Sequence, residues 1–168
     1  MGCLPAGTLI TIDREGNTDY VERIKEGAII YSPYFGGLVT VESARAGPET
    51  GFLLEFTLSD GLKANVTAGH AMLVGASPSN DFNNVAARDV KIGDIMTTVN
   101  GKQTVVQIRE IPVEVVTVYN FKISLPTFED VLSRVVIVNG IHMLDLRAQE
   151  LLAPWWQQAA AYLISYFV

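Results

Sequence analysis

As far as about Val138 the chain is built of short apolar runs, each cut off by a turn signal. In "FLLEFTLS", Phe52, Leu54, Phe56 and Leu58 take one face, while Leu53, Glu55, Thr57 and Ser59 take the other. A period of two is the mark of a half-buried β-strand. Further strand-like runs are "TLITI", "AIIY", "GLVTVESA", "LKANV", "HAMLV", "IMTTV", "TVVQIRE", "VEVVTVYNFKI" and "RVVIV". Between them stand "REG", "SDG", "VNGK" and "VNGI". Asp or Asn ahead of Gly suits tight hairpin turns, because both positions tolerate positive φ. Many short strands at this spacing predict an all-β body.

From Asp145 onward the character changes. "DLRAQELLAPWWQQAAAYLISYFV" is rich in Ala, Leu and Gln and predicts helix, with Pro154 suited to open a second one. No charged side chain follows Glu150. Pro154, Gln157 and Gln158 interrupt this stretch, and it makes a poor membrane span, for which roughly 20 apolar residues are needed. The predicted tail helix packs back on the β-body or, alternatively, lies in a membrane surface or holds an apolar ligand. Trp155 and Trp156 at its start suit either arrangement.

One internal echo stands out. "VERIKEGAIIY" (Val21 to Tyr31) resembles "ARDVKIGDIMT" (Ala87 to Thr97), each a Lys-x-Gly turn leading into an apolar strand. A duplicated β-subdomain leaves this kind of trace.

Composition narrows the chemistry. A length of 168 residues fits one domain with a proper core. The net charge of −6 and the lack of a basic run argue against nucleic acid as a partner, since phosphate binding needs clustered Lys and Arg. Cys3 is the only cysteine, and only His70 and His142 accompany it. No internal disulfide and no Cys/His zinc set can be assembled, so no metal is expected. Leu4 to Ile12 is too short for a signal peptide and lacks a basic flank. Met1 and Gly2 read as a start set just upstream of Cys3, with the natural preceding segment cut away.

Three places could carry chemistry: Gly2-Cys3, Thr67 with His70, and "VNGIHMLD". Together they fit one mechanism. A thiol beside its own upstream peptide bond can attack the preceding carbonyl and turn the amide into a thioester, which is nucleophilic catalysis in cis. Gly2 suits the acyl position because it has no β-carbon to block the attack. His70 would protonate the departing nitrogen, and Thr67 would hydrogen-bond the same amide or the tetrahedral intermediate.

At these residues a resemblance becomes specific. "CLPAGTLI" resembles the first block of the inteins and of the hedgehog autoprocessing domain, and "NVTAGHAML" resembles their Thr-x-x-His block. "VYNFKI" and "VVIVNGI" are similar to the last two intein strands, where the family reads Val-Tyr-Asp and Asn-Gly-Ile. Four blocks in family order span about Cys3 to Asp145. The resemblance implies a horseshoe-shaped all-β Hint fold with pseudo-twofold symmetry. It also implies Cys3 as the thioester-forming nucleophile and Thr67 with His70 as its activating pair. The organisation expected is a residual upstream flank at 1–2, a Hint-like domain at 3–145 and an apolar helical tail at 146–168.

The pattern departs from an intein at its end. Leu144 stands where the penultimate His belongs and Asp145 where the cyclising Asn belongs, so splicing is not expected. A hedgehog-type layout, with Gly before Cys and an extension after the fold, fits better. It implies transfer of the upstream polypeptide to an external nucleophile: a sterol-like hydroxyl, another nucleophile or water. Two hedgehog features are missing. The acceptor-activating Asp has no counterpart in "VESARAGPE", where only Glu42 and Glu49 are acidic, and the second cysteine is absent. Asp145 lies near that cysteine's place and either deprotonates the acceptor or caps the helix that follows. No cofactor is implied. The expected partners are the upstream polypeptide in cis and, through the tail with Trp155 and Trp156, a sterol or membrane surface; a hedgehog-type protein would work in the secretory pathway or at a membrane. Two alternatives stand beside this reading. One is a degraded intein with N-terminal cleavage only; the other is a non-catalytic β-domain whose tail helix binds lipid or a partner.

Overall fold

The computed structural model describes residues 2–75, 82–125 and 131–152. These form twelve strands in one open sheet system and one short helix. Strands β1 (Leu4–Pro5), β2 (Leu9–Thr11), β3 (Thr18–Tyr20), β4 (Ile29–Ser32) and β5 (Gly37–Leu58) come first. Next are β6 (Lys63–Val66), β7 (Ala71–Val74), β8 (Asn83–Ala86), β9 (Ile95–Thr98) and β10 (Gly101–Ser124). A closing hairpin, β11 (Val135–Val138) and β12 (Ile141–Leu144), leads into α1 (Leu146–Leu152).

The first five strands are repeated by the next five. β2 pairs β3 as β7 pairs β8, and β4 pairs β5 as β9 pairs β10, all antiparallel. A 3-10 turn precedes each Lys-x-Gly segment, at Val21–Arg23 and at Ala87–Asp89. Behind each turn the same backbone bonds recur: Gly27 N–H to Val41 O and Val41 N–H to Ala28 O match Gly93 N–H to Val105 O and Val105 N–H to Asp94 O. The copies are interlocked, because β1 pairs β10 of the second copy while β6 pairs β5 of the first. The expected pseudo-twofold symmetry is therefore present, and it covers far more than the Lys-x-Gly echo.

The long strands β5 and β10 pair along most of their length. The sequence predicts two shorter strands in each, "GLVTVESA" and "FLLEFTLS" in the first, "TVVQIRE" and "VEVVTVYNFKI" in the second. Instead the ladder continues, with Pro48 opposite Thr117 and Pro112 opposite Phe52. Both prolines lie where each strand pairs only with the other, so the missing N–H can face the open edge. A register shift between Val113 and Val116 absorbs the irregularity beside Gly51, whose φ is +94°.

One large core draws on both copies and the closing hairpin, with Phe56, Phe121, Ile10, Ile30, Met72 and Met143 all fully buried. The predicted alternation in "FLLEFTLS" holds from Leu54 to Leu58, which bury 54, 56 and 58. Phe52 is exposed, and Leu53 is buried on the other face, against Cys3. The helix predicted from Asp145 is α1; the second helix, Pro154, Trp155 and Trp156 lie outside the described residues.

Candidate active site

Two registers bring the distant residues together. β1 pairs β10 with Leu4 opposite Tyr119, so Cys3 arrives beside Asn120. β6 pairs β5 with Val66 opposite Leu54, which sets Thr67 next to Leu53. Cys3 and Thr67 then clasp each other: Cys3 N–H donates to Thr67 Oγ1 at 2.6 Å, and Thr67 N–H donates to the Cys3 carbonyl at 3.0 Å. The turn Thr67-Ala68-Gly69-His70 is closed by His70 N–H to Thr67 O at 3.1 Å and anchored by Ala87 N–H to His70 O.

Gly2 lies flat on this turn. A β-carbon there would overlap the backbone of Gly69 and His70, so only glycine fits. The Gly2 carbonyl accepts a hydrogen bond from Asn120 Nδ2. The Gly2–Cys3 peptide is thus held at both ends, its N–H by Thr67 and its C=O by Asn120. Cys3, Thr67, His70 and Asn120 are all buried.

Burial sets the protonation states. The Cys3 side chain sits with Leu53 and Val118, flanked by Val113 and Val116, and its removal from water pushes the thiol up to about 11. The His70 imidazole is pulled down to about 4 by burial, with the Gly2 backbone nearby pushing the other way. That approach falls short of a formed hydrogen bond, and both ring nitrogens are buried without a partner. Buried polar atoms are nearly always paired, so an unpaired imidazole against this peptide is the feature that invites a chemical explanation. Near neutral pH the thiol and the imidazole are therefore both uncharged.

Asp145 sits at the start of α1. Its Oδ1 accepts Ala148 N–H at 3.0 Å, which is a helix N-cap. Its Oδ2 accepts Ile123 N–H and an Arg134 guanidinium N–H, both at 2.9 Å. Burial raises its carboxyl pKa against these donors. Of the two roles expected for it, the cap is the one the contacts show. His142, in β12, meets the Tyr34 ring edge-on at 5.8 Å between centroids, and burial lowers its pKa. Trp155 and Trp156, expected to serve an acceptor, lie outside the described residues. Sequence reasoning passed over Asn120, although it occupies the Asp position of the Val-Tyr-Asp pattern in "VYNFKI".

No family model and no curated protein sequence matches this chain. Solved structures do. A bacterial intein-like domain from Clostridium thermocellum superposes with a TM-score of 0.68 at 24% identity, over 86% of this chain and 99% of that one. An intein from a hyperthermophile gives 0.67 at 19% identity, over 86% of this chain and all (100%) of the other. The gp41-1 intein gives 0.65 at 15% identity, over 86% and 99%. With its duplicated strands, exchanged β1 and β6, and closing hairpin, this chain has the Hint fold of the inteins.

Proposed function

We propose that the chain is a self-processing domain that moves the acyl group of Gly2 from the Cys3 nitrogen to the Cys3 sulfur and then passes it to an external nucleophile. The observation that carries this reading is the grip on a single peptide group, with Thr67 on its N–H, Asn120 on its C=O and the unpaired imidazole of His70 alongside.

Cys3 Sγ bonds to the Gly2 carbonyl carbon while the thiol proton passes to His70. With the thiol near 11 and the imidazole near 4, a preformed thiolate–imidazolium pair is disfavoured at both partners. Proton transfer therefore accompanies carbon–sulfur bond formation. Negative charge develops on the Gly2 oxygen, where Asn120 Nδ2 already points as an oxyanion donor. The imidazolium then gives its proton to the Cys3 nitrogen, the carbon–nitrogen bond breaks, and a thioester with a free Cys3 amine remains. Thr67 Oγ1, accepting from that N–H, orients the nitrogen for departure.

The C-terminal end supports release or transfer rather than splicing. Asp145 stands where a cyclising Asn would be needed, and its carboxylate is held by Arg134, Ile123 and Ala148. In this reading Asp145 is architectural. The acceptor is a thiol, an amine, water or a hydroxyl, and the sterol-like hydroxyl implied by the hedgehog layout is one member of that set.

A reporter fused ahead of Gly2 tests the proposal. Added thiol should release it from the native chain and leave Cys3→Ala intact; equal release from both would end this reading. The mass of the freed fragment identifies the acceptor.

A further inference from the structure

The carboxamide that grips the Gly2 carbonyl is itself held from outside the duplicated body. Asn120 is 3% exposed, on β10, and each of its polar ends has a defined partner. Its Oδ1 accepts the N–H of Phe121 at 2.8 Å, and a backbone N–H can only donate, which fixes which end is oxygen. Its Nδ2 carries two hydrogens. One goes to the Gly2 carbonyl and the other to Gln149 Oε1, at 3.2 Å, on α1.

Gln149 is held in place in turn. Its N–H donates to the Asp145 carbonyl at 3.2 Å, one turn back, within the helix that Asp145 caps. On either side of it the helix is tied to the body: Asn84 Nδ2 donates to the Ala148 carbonyl at 2.9 Å, and Glu150 pairs with Lys122 of β10 at 2.9 Å. Leu146 and Ala148 are buried beneath. A chain of fixed contacts therefore runs from the segment after Asp145 to the carbonyl oxygen on which charge would develop.

We infer that Gln149 is a positioning residue for thioester formation, acting through Asn120, so that α1 is part of the reaction machinery rather than an appendage to it. This rests on the self-processing reading above. Without an acceptor at position 149, one Nδ2 hydrogen is left buried and unpaired, and the carboxamide loses the contact that sets its plane. A donor turned away from the oxyanion stabilises it less, because such stabilisation depends on the donor being oriented before charge appears.

The test uses the full chain with the upstream reporter and reads the rate of thiol-induced release. Gln149→Leu keeps the bulk and removes the acceptor. It should slow release about tenfold, with a melting temperature within a few degrees of native; a donor's complete loss costs about 10² to 10³, the fall expected of Asn120→Ala. The deciding measurement is the double variant. If Gln149 acts only through Asn120, adding Gln149→Leu to Asn120→Ala slows nothing further. A tenfold loss that persists in the Asn120→Ala background would mean a merely structural helix and overturn the inference, as would native rates for Gln149→Leu alone. If Gln149→Leu fails to fold, Gln149→Ala is put through the same cycle. An Asn120→Ala chain that reacts at the native rate would sink the oxyanion assignment itself. Native Asn120-dependent release with an indifferent Gln149 would sink only the inference drawn here.

Discussion

The two copies carry the same turn with different last residues. In the first copy Pro5-Ala6-Gly7-Thr8 closes through Thr8 N–H to Pro5 O; in the second, Thr67-Ala68-Gly69-His70 closes through His70 N–H to Thr67 O. Each turn is anchored alike, by Val21 N–H to Thr8 O and by Ala87 N–H to His70 O. The fourth side chain differs. Thr8 turns its hydroxyl back to the Pro5 carbonyl at 2.7 Å, so the group is satisfied within the turn. His70 makes no such bond and keeps both ring nitrogens unpaired against Gly2. One turn closes upon itself, and its twin holds a buried group in reserve. The fold builds the position twice, and only the second copy fills it with a titratable side chain, the one the proposed reaction uses.

The sharpest way to break this comparison is to convert the second turn into the first. His70→Thr should keep the fold and lower thiol-induced release by about 10² to 10⁴, the usual loss when a general acid–base is removed. Retained release would mean that the imidazole has no part in the reaction.

Acid should separate the two turns next. Because the folded imidazole titrates near 4 against an unfolded value of 6.5, the unfolded chain binds the proton first as pH falls. Stability is therefore whole above about 6.5 and is lost as pH drops toward 4, by at most about 3 kcal/mol from this group. Denaturant melts of the native chain between those limits should show the fall, and His70→Thr should flatten it. His142, also lowered by burial, leaves a smaller slope of the same sign, and Asp145, raised by burial, acts in the opposite sense. The difference between the native chain and the variant isolates the imidazole.

A smaller effect comes from the residue that rests on the second turn. Gly2→Ala forces a methyl against the Gly69–His70 backbone, displacing the peptide from Thr67 and Asn120. Release should fall about 10²-fold, as expected for a reacting group moved by about an ångström. The smallest change belongs to the quiet turn. Thr8→Val removes the hydroxyl bond to Pro5 and should cost about 1 kcal/mol in a denaturant melt while leaving the release rate alone.

Much of this was legible in the sequence. Short apolar runs between turn signals located most strands, and Asp60-Gly61, Asn100-Gly101 and Asn139-Gly140 marked three of the hairpins. Cys3, Thr67 and His70 were read as one group, and the structure gathers them around one peptide. The kinship of the two turns was hidden because Pro-Ala-Gly-Thr and Thr-Ala-Gly-His share only their small middle residues, while what they have in common is a hydrogen-bond frame. Asn120 was hidden for a different reason. A polar residue in an apolar strand reads as solvent-facing, and its partner Gly2 lies at the far end of the chain. Gln149 was indistinguishable from any helix-favouring glutamine until the helix was seen against β10. The length of β5 and β10 was hidden as well, because the stretches around Pro48 and Pro112 carry no continuous apolar run, yet a strand pair with open edges accepts proline there.

The exchange of opening strands has a consequence for the chain as a physical object. Cut at the Asp60-Gly61 turn, the protein would yield two pieces, each lacking the strand that the other carries: β5 without β6, and β10 without β1. Neither piece alone assembles the Cys3–Thr67 clasp. Mixed, they present complementary vacant edges, so reunion of the fragments and recovery of the Cys3–Thr67 clasp should be a single event.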